Sequence, residues 1–199
     1  SVAELKRVQD ENTALQEEVE FLRAENTQYQ LQLAELEQYR ELLDMKEQYP
    51  DYDTVGAHVI GNNSGNWNKT VLIDRGSNDG IQVNMNVIAQ GGLVGIVTSV
   101  TLNSATVRMI ADDGCNVGAM SVLSKDSCIV TGNLELYEEG KLRLEKIDKD
   151  ADIQDDYKIV TGNTSSLYLP GILIGYAQEL QIDANHLTKS GYLVPVVDF

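Results

Sequence analysis

The stretch that decides the architecture is residues 5–43, LKRVQDENTALQEEVEFLRAENTQYQLQLAELEQYRELL. With Leu5 at heptad position a, the a positions are Leu5, Asn12, Val19, Asn26, Leu33 and Arg40. The d positions are Val8, Leu15, Leu22, Tyr29, Leu36 and Leu43. Nine of these twelve side chains are apolar. An apolar a/d repeat held over so many heptads is the signature of a coiled coil. Residues 1–48 contain neither glycine nor proline, so no helix breaker interrupts the pattern. Forty helical residues span about 60 Å, whereas a compact domain of about 150 residues is roughly 40–50 Å across. A lone amphipathic helix lying on the rest of its own chain would overhang it, so the stripe requires a second chain.

The seam also specifies how that second chain pairs. Leucine dominates d and the β-branched Val19 sits at a, which favours two parallel strands. Asn12 and Asn26 would each meet their own copy in a parallel pair. In an antiparallel pair they would face leucines and lose their hydrogen-bond partners. The expected assembly is a parallel homodimer joined through Leu5, Val8, Asn12, Leu15, Val19, Leu22, Asn26, Tyr29, Leu33, Leu36 and Leu43. The flanking e and g positions are mostly Glu and Gln, with Glu18 and Arg23 placed to attract across the seam.

Outward from the helix the composition changes near residue 50. All 16 glycines and all three prolines fall in residues 49–199. The reading is a coiled coil over 1–48, a linker over 49–53 and a β domain over 54–199. Pro50 biases Tyr49 away from helical angles and ends the helix. Beyond it, β-branched runs alternate with turn clusters such as Asn62–Asn66, Arg75–Gly80 and Gln90–Gly92. The runs are Thr54–Ile60, Thr70–Asp74, Asn86–Ala89, Leu93–Val100, Ala105–Ile110, Asn116–Leu123, Ser127–Thr131, Lys141–Glu145, Lys158–Thr161, Ile172–Leu180 and Tyr192–Val197. Eleven strands without crossover helices give an all-β barrel or sandwich and exclude a parallel Rossmann-like sheet.

Charge and composition exclude several function classes. Of 199 residues, 31 are Asp or Glu and 15 are Lys or Arg, a net charge of −16. Nucleic-acid binding needs clustered cations, and an anionic membrane surface would repel this chain. The 42% hydrophobic content excludes global disorder. No run of about 18 apolar residues occurs, so no membrane-spanning helix is present in this sequence. The chain opens on Ser1, inside the helical pattern.

No catalytic, cofactor or metal constellation is read. The two histidines are His58, placed on the outer face of the strand containing Val55, Ala57 and Val59, and His186, in a turn-like stretch. No Gly-x-Ser-x-Gly elbow occurs, and Ser165 and Ser166 have no base placed beside them. Asp148-x-Asp150-x-Asp152 begins like an EF-hand loop, but Ile153 and Ile159 stand where glycine and glutamate are required. Cys115 and Cys128 open successive strands, too far apart along a ladder for a disulfide, so two buried thiols are expected. The apolar loop Ser166–Gly171 offers Leu167, Tyr168 and Leu169 as partner-binding candidates, the competing reading being that they plug a barrel end. Exposed edge strands offer a second docking mode by strand addition.

Several ordered motifs follow the coiled coil. They are Trp67-x-x-x-Val71-Leu72-Ile73-Asp74-Arg75-Gly76-Ser77-x-x-Gly80-Ile81, Asn86-Val87-Ile88 and Gly91-Gly92-Leu93-Val94-Gly95-x-Val97. Ile159-Val160-Thr161-Gly162, Leu169-Pro170-Gly171-Ile172-x-Ile174-Gly175 and Val194-Pro195 complete the series. In this order they resemble the MreC family of bacterial rod-shape-determining proteins, over nearly the whole chain. The resemblance implies an extracytoplasmic β domain of two small barrels, chymotrypsin-like in architecture but non-catalytic, the last strands returning to the first barrel. It also implies a dimerising coiled coil and a membrane helix ahead of Ser1. As partners it implies a class B penicillin-binding protein, RodA and MreD, and indirectly MreB, in a scaffold for lateral peptidoglycan synthesis. One departure stands out: Thr161-Gly162-Asn163 replaces the family's Thr-Ser-Gly, and Thr164–Ser166 are inserted. A secreted chymotrypsin-like hydrolase would need a Ser-His-Asp cluster. An efflux-pump adaptor would need two antiparallel helices, where this chain has one.

Overall fold

A computed structural model describes residues 1–64 and 69–199. The chain divides into two compact units, Ser1–Tyr52 and Asp53–Phe199. The first is the uninterrupted helix α1, Val2–Gln48. It ends where sequence predicts: the Tyr49 N–H still donates to the Met45 carbonyl, and Pro50 can donate nothing further.

The second unit holds eleven strands: β1 Val59–Ser64, β2 Lys69–Ile73, β3 Asn86–Ala89, β4 Gly92–Val100, β5 Ala105–Met109, β6 Asn116–Ser121, β7 Ser127–Thr131, β8 Leu142–Asp148, β9 Lys158–Thr161, β10 Leu173–Ile182 and β11 Thr188–Pro195. They form two lobes. A five-stranded antiparallel sheet has the order β1-β2-β5-β4-β3, and a closed barrel has the order β10-β11-β8-β7-β6-β9. The barrel interior is built from Val117, Val130, Leu142, Leu144, Ile159, Ile174 and Leu193, all fully buried, with clean alternation in β6 and β7. The sheet's core joins Val71, Ile73, Val94, Val97, Val107 and Met109. Val197 completes it from the far end of the chain, with Val196 and Phe199 packed alongside. So the last strand, β11, stays in the barrel, and the residues after it return to the first lobe.

Two devices shape the sheet. Gln90 and Gly91 both take positive φ, 50° and 79°, which joins β3 to β4 through a tight turn of primed geometry. At the join between lobes, a Cβ on Gly132 would lie 2.1 Å from the Asp112 carbonyl oxygen, so only glycine admits that close approach. The Asp112 carboxylate, 2% exposed, accepts from the Lys69 N–H at 2.9 Å and from Arg108 Nε at 2.5 Å.

Three expectations are corrected. The strand expected at Thr54–Ile60 begins only at Val59 and runs into Asn62–Ser64, part of the expected turn cluster. Val55 and Val59, expected to face inward, are exposed. Asp74 explains the delay: its Oδ1 takes the His58 N–H at 2.7 Å, and its own N–H donates to the His58 carbonyl. A side chain thus substitutes for ladder pairing just before the strand. The final strand starts at Thr188, four residues before the expected Tyr192, because β10 and β11 form a long hairpin. A short helix, α2 Leu134–Glu138, interrupts the expected run of strands; the Asn133 side chain caps it by accepting the Leu136 N–H at 2.8 Å. The remainder of the turn cluster, residues 65 and 66, and Trp67 lie outside the described residues.

Candidate docking surface

Residues 161–172 carry the apolar loop, and the structure braces it at four points. Thr161, fully buried in β9, anchors its base. The Thr161 Oγ1 donates to the Leu169 carbonyl at 2.6 Å and accepts the Ile172 N–H at 2.8 Å. Ser165 Oγ accepts the N–H groups of Leu167 and Tyr168, both at 3.2 Å, a local serine turn. From the other lobe, Asn86 at the start of β3 donates Nδ2–H to the Leu167 carbonyl at 2.9 Å and accepts the Leu169 N–H at 2.8 Å. The fourth brace is the Tyr168 ring.

Braced in this way, the loop bends through residues 166–168 and its side chains divide between the interior and the surface. Tyr168 turns inward and is 4% exposed, while Leu167 and Leu169 are 45% and 43% exposed. The Tyr168 hydroxyl meets Cys115 Sγ at 3.4 Å. Burial pushes both the Tyr168 phenol and the Cys115 thiol upward, so both are neutral at physiological pH. Of the three partner-binding candidates, Tyr168 is therefore corrected: it is the plug, and only the two leucines face outward. Met85, next to Asn86 in sequence, is exposed as well.

The other candidate residues fall as follows. The eleven seam side chains of α1 are all exposed in the single chain, from Leu5 at 65% to Val19 at 44%. Tyr29 donates its hydroxyl to Glu25 along the helix surface at 3.0 Å. Outside the seam, Phe21, Leu31 and Tyr39 are exposed too. His58 is exposed, as expected, and its Nδ1 lies 3.4 Å from Asp74 Oδ2. His186 sits in a turn at φ 57°. Among the described hydrogen bonds none joins a serine hydroxyl to either imidazole. The acidic run is spent on turns: Asp148 accepts the Asp150 N–H and Asp126 accepts the Asp152 N–H. Among the described residues no three metal-ligating groups converge. Cys115 and Cys128 are buried free thiols, and burial pushes Cys128 up to about 12. Cys128 pairs with Ala119 across the β6–β7 ladder, three positions from the expected register near residue 122.

A long helix with an open apolar stripe, together with a β unit that offers a braced pair of leucines, is the anatomy of a binding protein. The comparisons place it more narrowly. Residues 59–199 match the family described as "Rod shape-determining protein MreC, barrel core". The chain is 31% identical to the cell shape-determining protein MreC of Listeria monocytogenes over 202 residues, covering 99% of this chain and 67% of that protein. It is 30% identical to the MreC of Bacillus subtilis over 211 residues, 100% of this chain and 71% of that protein. A solved Listeria MreC structure superposes with a TM-score of 0.67 at 30% identity, covering 94% of this chain and 90% of that one. The chain belongs to the MreC family of cell shape-determining proteins. The fold also matches the complex between PBP2 and MreC from Helicobacter pylori, at TM-score 0.54 and 15% identity, covering 69% of this chain and 83% of that one.

Proposed function

We propose that this chain is a dimeric scaffold of the bacterial cell-elongation machinery, organising lateral peptidoglycan synthesis outside the cytoplasmic membrane. Membership of the family carries this reading, because its members are named for determining cell shape. The parallel homodimer rests on the a/d stripe, which has no cover within the chain. A membrane anchor ahead of Ser1 would tether the pair; among the described residues no helix is long and apolar enough to cross a membrane. A class B penicillin-binding protein is the direct partner, supported by the Helicobacter complex. RodA and MreD would stand beside it in the membrane, with MreB reached indirectly. Leu167 and Leu169 serve as the docking pair. The role has no catalytic step and needs neither cofactor nor nucleic acid.

Two measurements test it. Removing residues 1–45 is expected to turn a sedimenting dimer into a monomer; a shortened chain that stays dimeric removes the coiled coil as the joint. In cells, photocrosslinkers at positions 167 and 169 should capture the class B penicillin-binding protein, and at exposed Leu102 should not. Capture only from position 102 would end the docking assignment.

A further inference from the structure

The Asn86 clamp is an unusual way to hold a loop. A strand paired in the parallel sense binds its neighbour at one residue by engaging the carbonyl before it and the N–H after it. Asn86 does this with a side chain: its carboxamide takes the Leu167 carbonyl and the Leu169 N–H, straddling Tyr168. The same Nδ2 also reaches the Asn84 carbonyl at 3.3 Å, which fixes the amide's orientation. β3 is an edge strand with β4 as its one ladder neighbour, and the loop is tied to it through this one side chain.

The other braces belong to the barrel side. Ser165 and Thr161 hold the loop's own turn, and Tyr168 buries its ring against Cys115. Among the hydrogen bonds described here, the Asn86 pair is what ties the leucines to the five-stranded sheet. Losing it leaves the loop folded on the barrel but free to shift against β3 and the neighbouring Met85.

We infer that Asn86 is a positioning residue for partner docking: its carboxamide sets Leu167 and Leu169 in register with the β3 edge, so that both lobes present one surface to the synthase. This inference rests on the docking role given to the two leucines above. Recognition is by apolar contact with an exposed hydrophobic segment of the synthase ectodomain.

The test uses the whole chain and the purified ectodomain of the class B penicillin-binding protein from the same bacterium. Four proteins are compared: the unaltered chain, Asn86→Ala, Asn86→Asp and Leu167→Ser/Leu169→Ser. Two hydrogen bonds at a half-buried site predict a loss of about tenfold in affinity for Asn86→Ala. Hydrogen exchange at the Leu169 amide should quicken, while barrel amides such as Leu144 stay protected. Asn86→Asp keeps an acceptor for Leu169 but turns a carboxylate oxygen toward the Leu167 carbonyl. It should protect the Leu169 amide and still weaken binding, and it serves where the alanine variant fails to fold. The double serine variant should lose binding altogether.

If the double serine variant binds as the unaltered chain does, the docking role itself is wrong and the inference falls with it. If the serine variant loses binding but both Asn86 variants bind within twofold, the docking role stands and the inference alone is overturned. Weakened binding by Asn86→Ala with an unchanged Leu169 amide also overturns it, because the effect would then not pass through the clamp.

Discussion

The closed barrel and the five-stranded sheet meet the same difficulty in different ways. A strand with one neighbour leaves a row of backbone donors and acceptors unpaired. In the barrel each of the six strands has two neighbours, and the interior is filled by residues of the barrel itself. The sheet ends in β1 and β3, and its core is completed by Val197 from beyond the last barrel strand. Its β3 strand is tied through Asn86 to a loop that the barrel supplies. The barrel is thus built from its own strands, whereas the sheet borrows from the barrel. That asymmetry places the docking pair on the barrel's loop and its alignment under the sheet's control.

The largest expected effect strikes the barrel. Leu142→Ala, at a fully buried position of β8, should cost about 2–5 kcal/mol by cavity formation, read as a lower midpoint in urea denaturation. Because the sheet depends on the barrel, both lobes should unfold together in that variant. A surviving sheet would break the comparison. Val197→Ala should cost less, roughly 1–3 kcal/mol. Its effect is local: amides of β2 and β5 should exchange faster while those of β8 do not. Uniform acceleration would mean that Val197 belongs equally to both lobes.

The smallest effect sharpens the picture at the barrel's rim. Asp183 accepts the hydroxyls of Ser190 and Thr188, and chiefly the Ser190 bond holds its carboxyl below the usual carboxylate value. A folded-state pKa below the unfolded one stabilises the protein above the unfolded value, and the gain is lost as pH falls through the folded value. The unaltered chain should therefore exceed Asp183→Asn in denaturation midpoint at neutral pH, and the gap should close in acid. A gap that widens in acid would reverse the assignment.

Much of this was legible in the order of residues, and the exceptions share a cause. Ser127–Thr131 and Lys158–Thr161 form strands at the bounds their sequence predicts because each is a short β-branched run closed by turn residues. The strand expected at Val55 does not form there because, of its alternating apolar residues, Ala57 alone packs against the core while Val55 and Val59 are exposed. Helix α2 spans five residues, too few for a helical period to register, although Asn133 as cap and Gly140 just beyond the end are signals present in the sequence. For the docking loop, the apolar character of Leu167-Tyr168-Leu169 was visible, but not which parity faces inward. Tyr168 is buried with its hydroxyl against Cys115 Sγ, 53 positions away, a neighbour that no local pattern reveals. Asn86 read as an ordinary strand residue, since its partners lie 81 and 83 positions distant.

The sequence alone determined the long helix, its apolar seam and the succession of strands. These follow from periods of 3.5 and 2 and from local turn chemistry, which neighbours along the chain settle among themselves. Tertiary structure decided the closing of the barrel, the return of Val197 to the sheet and the clamp of Asn86 on its loop. Each depends on groups far apart in the chain meeting at hydrogen-bond or packing distance, and no local pattern encodes which distant surface will be there to receive them.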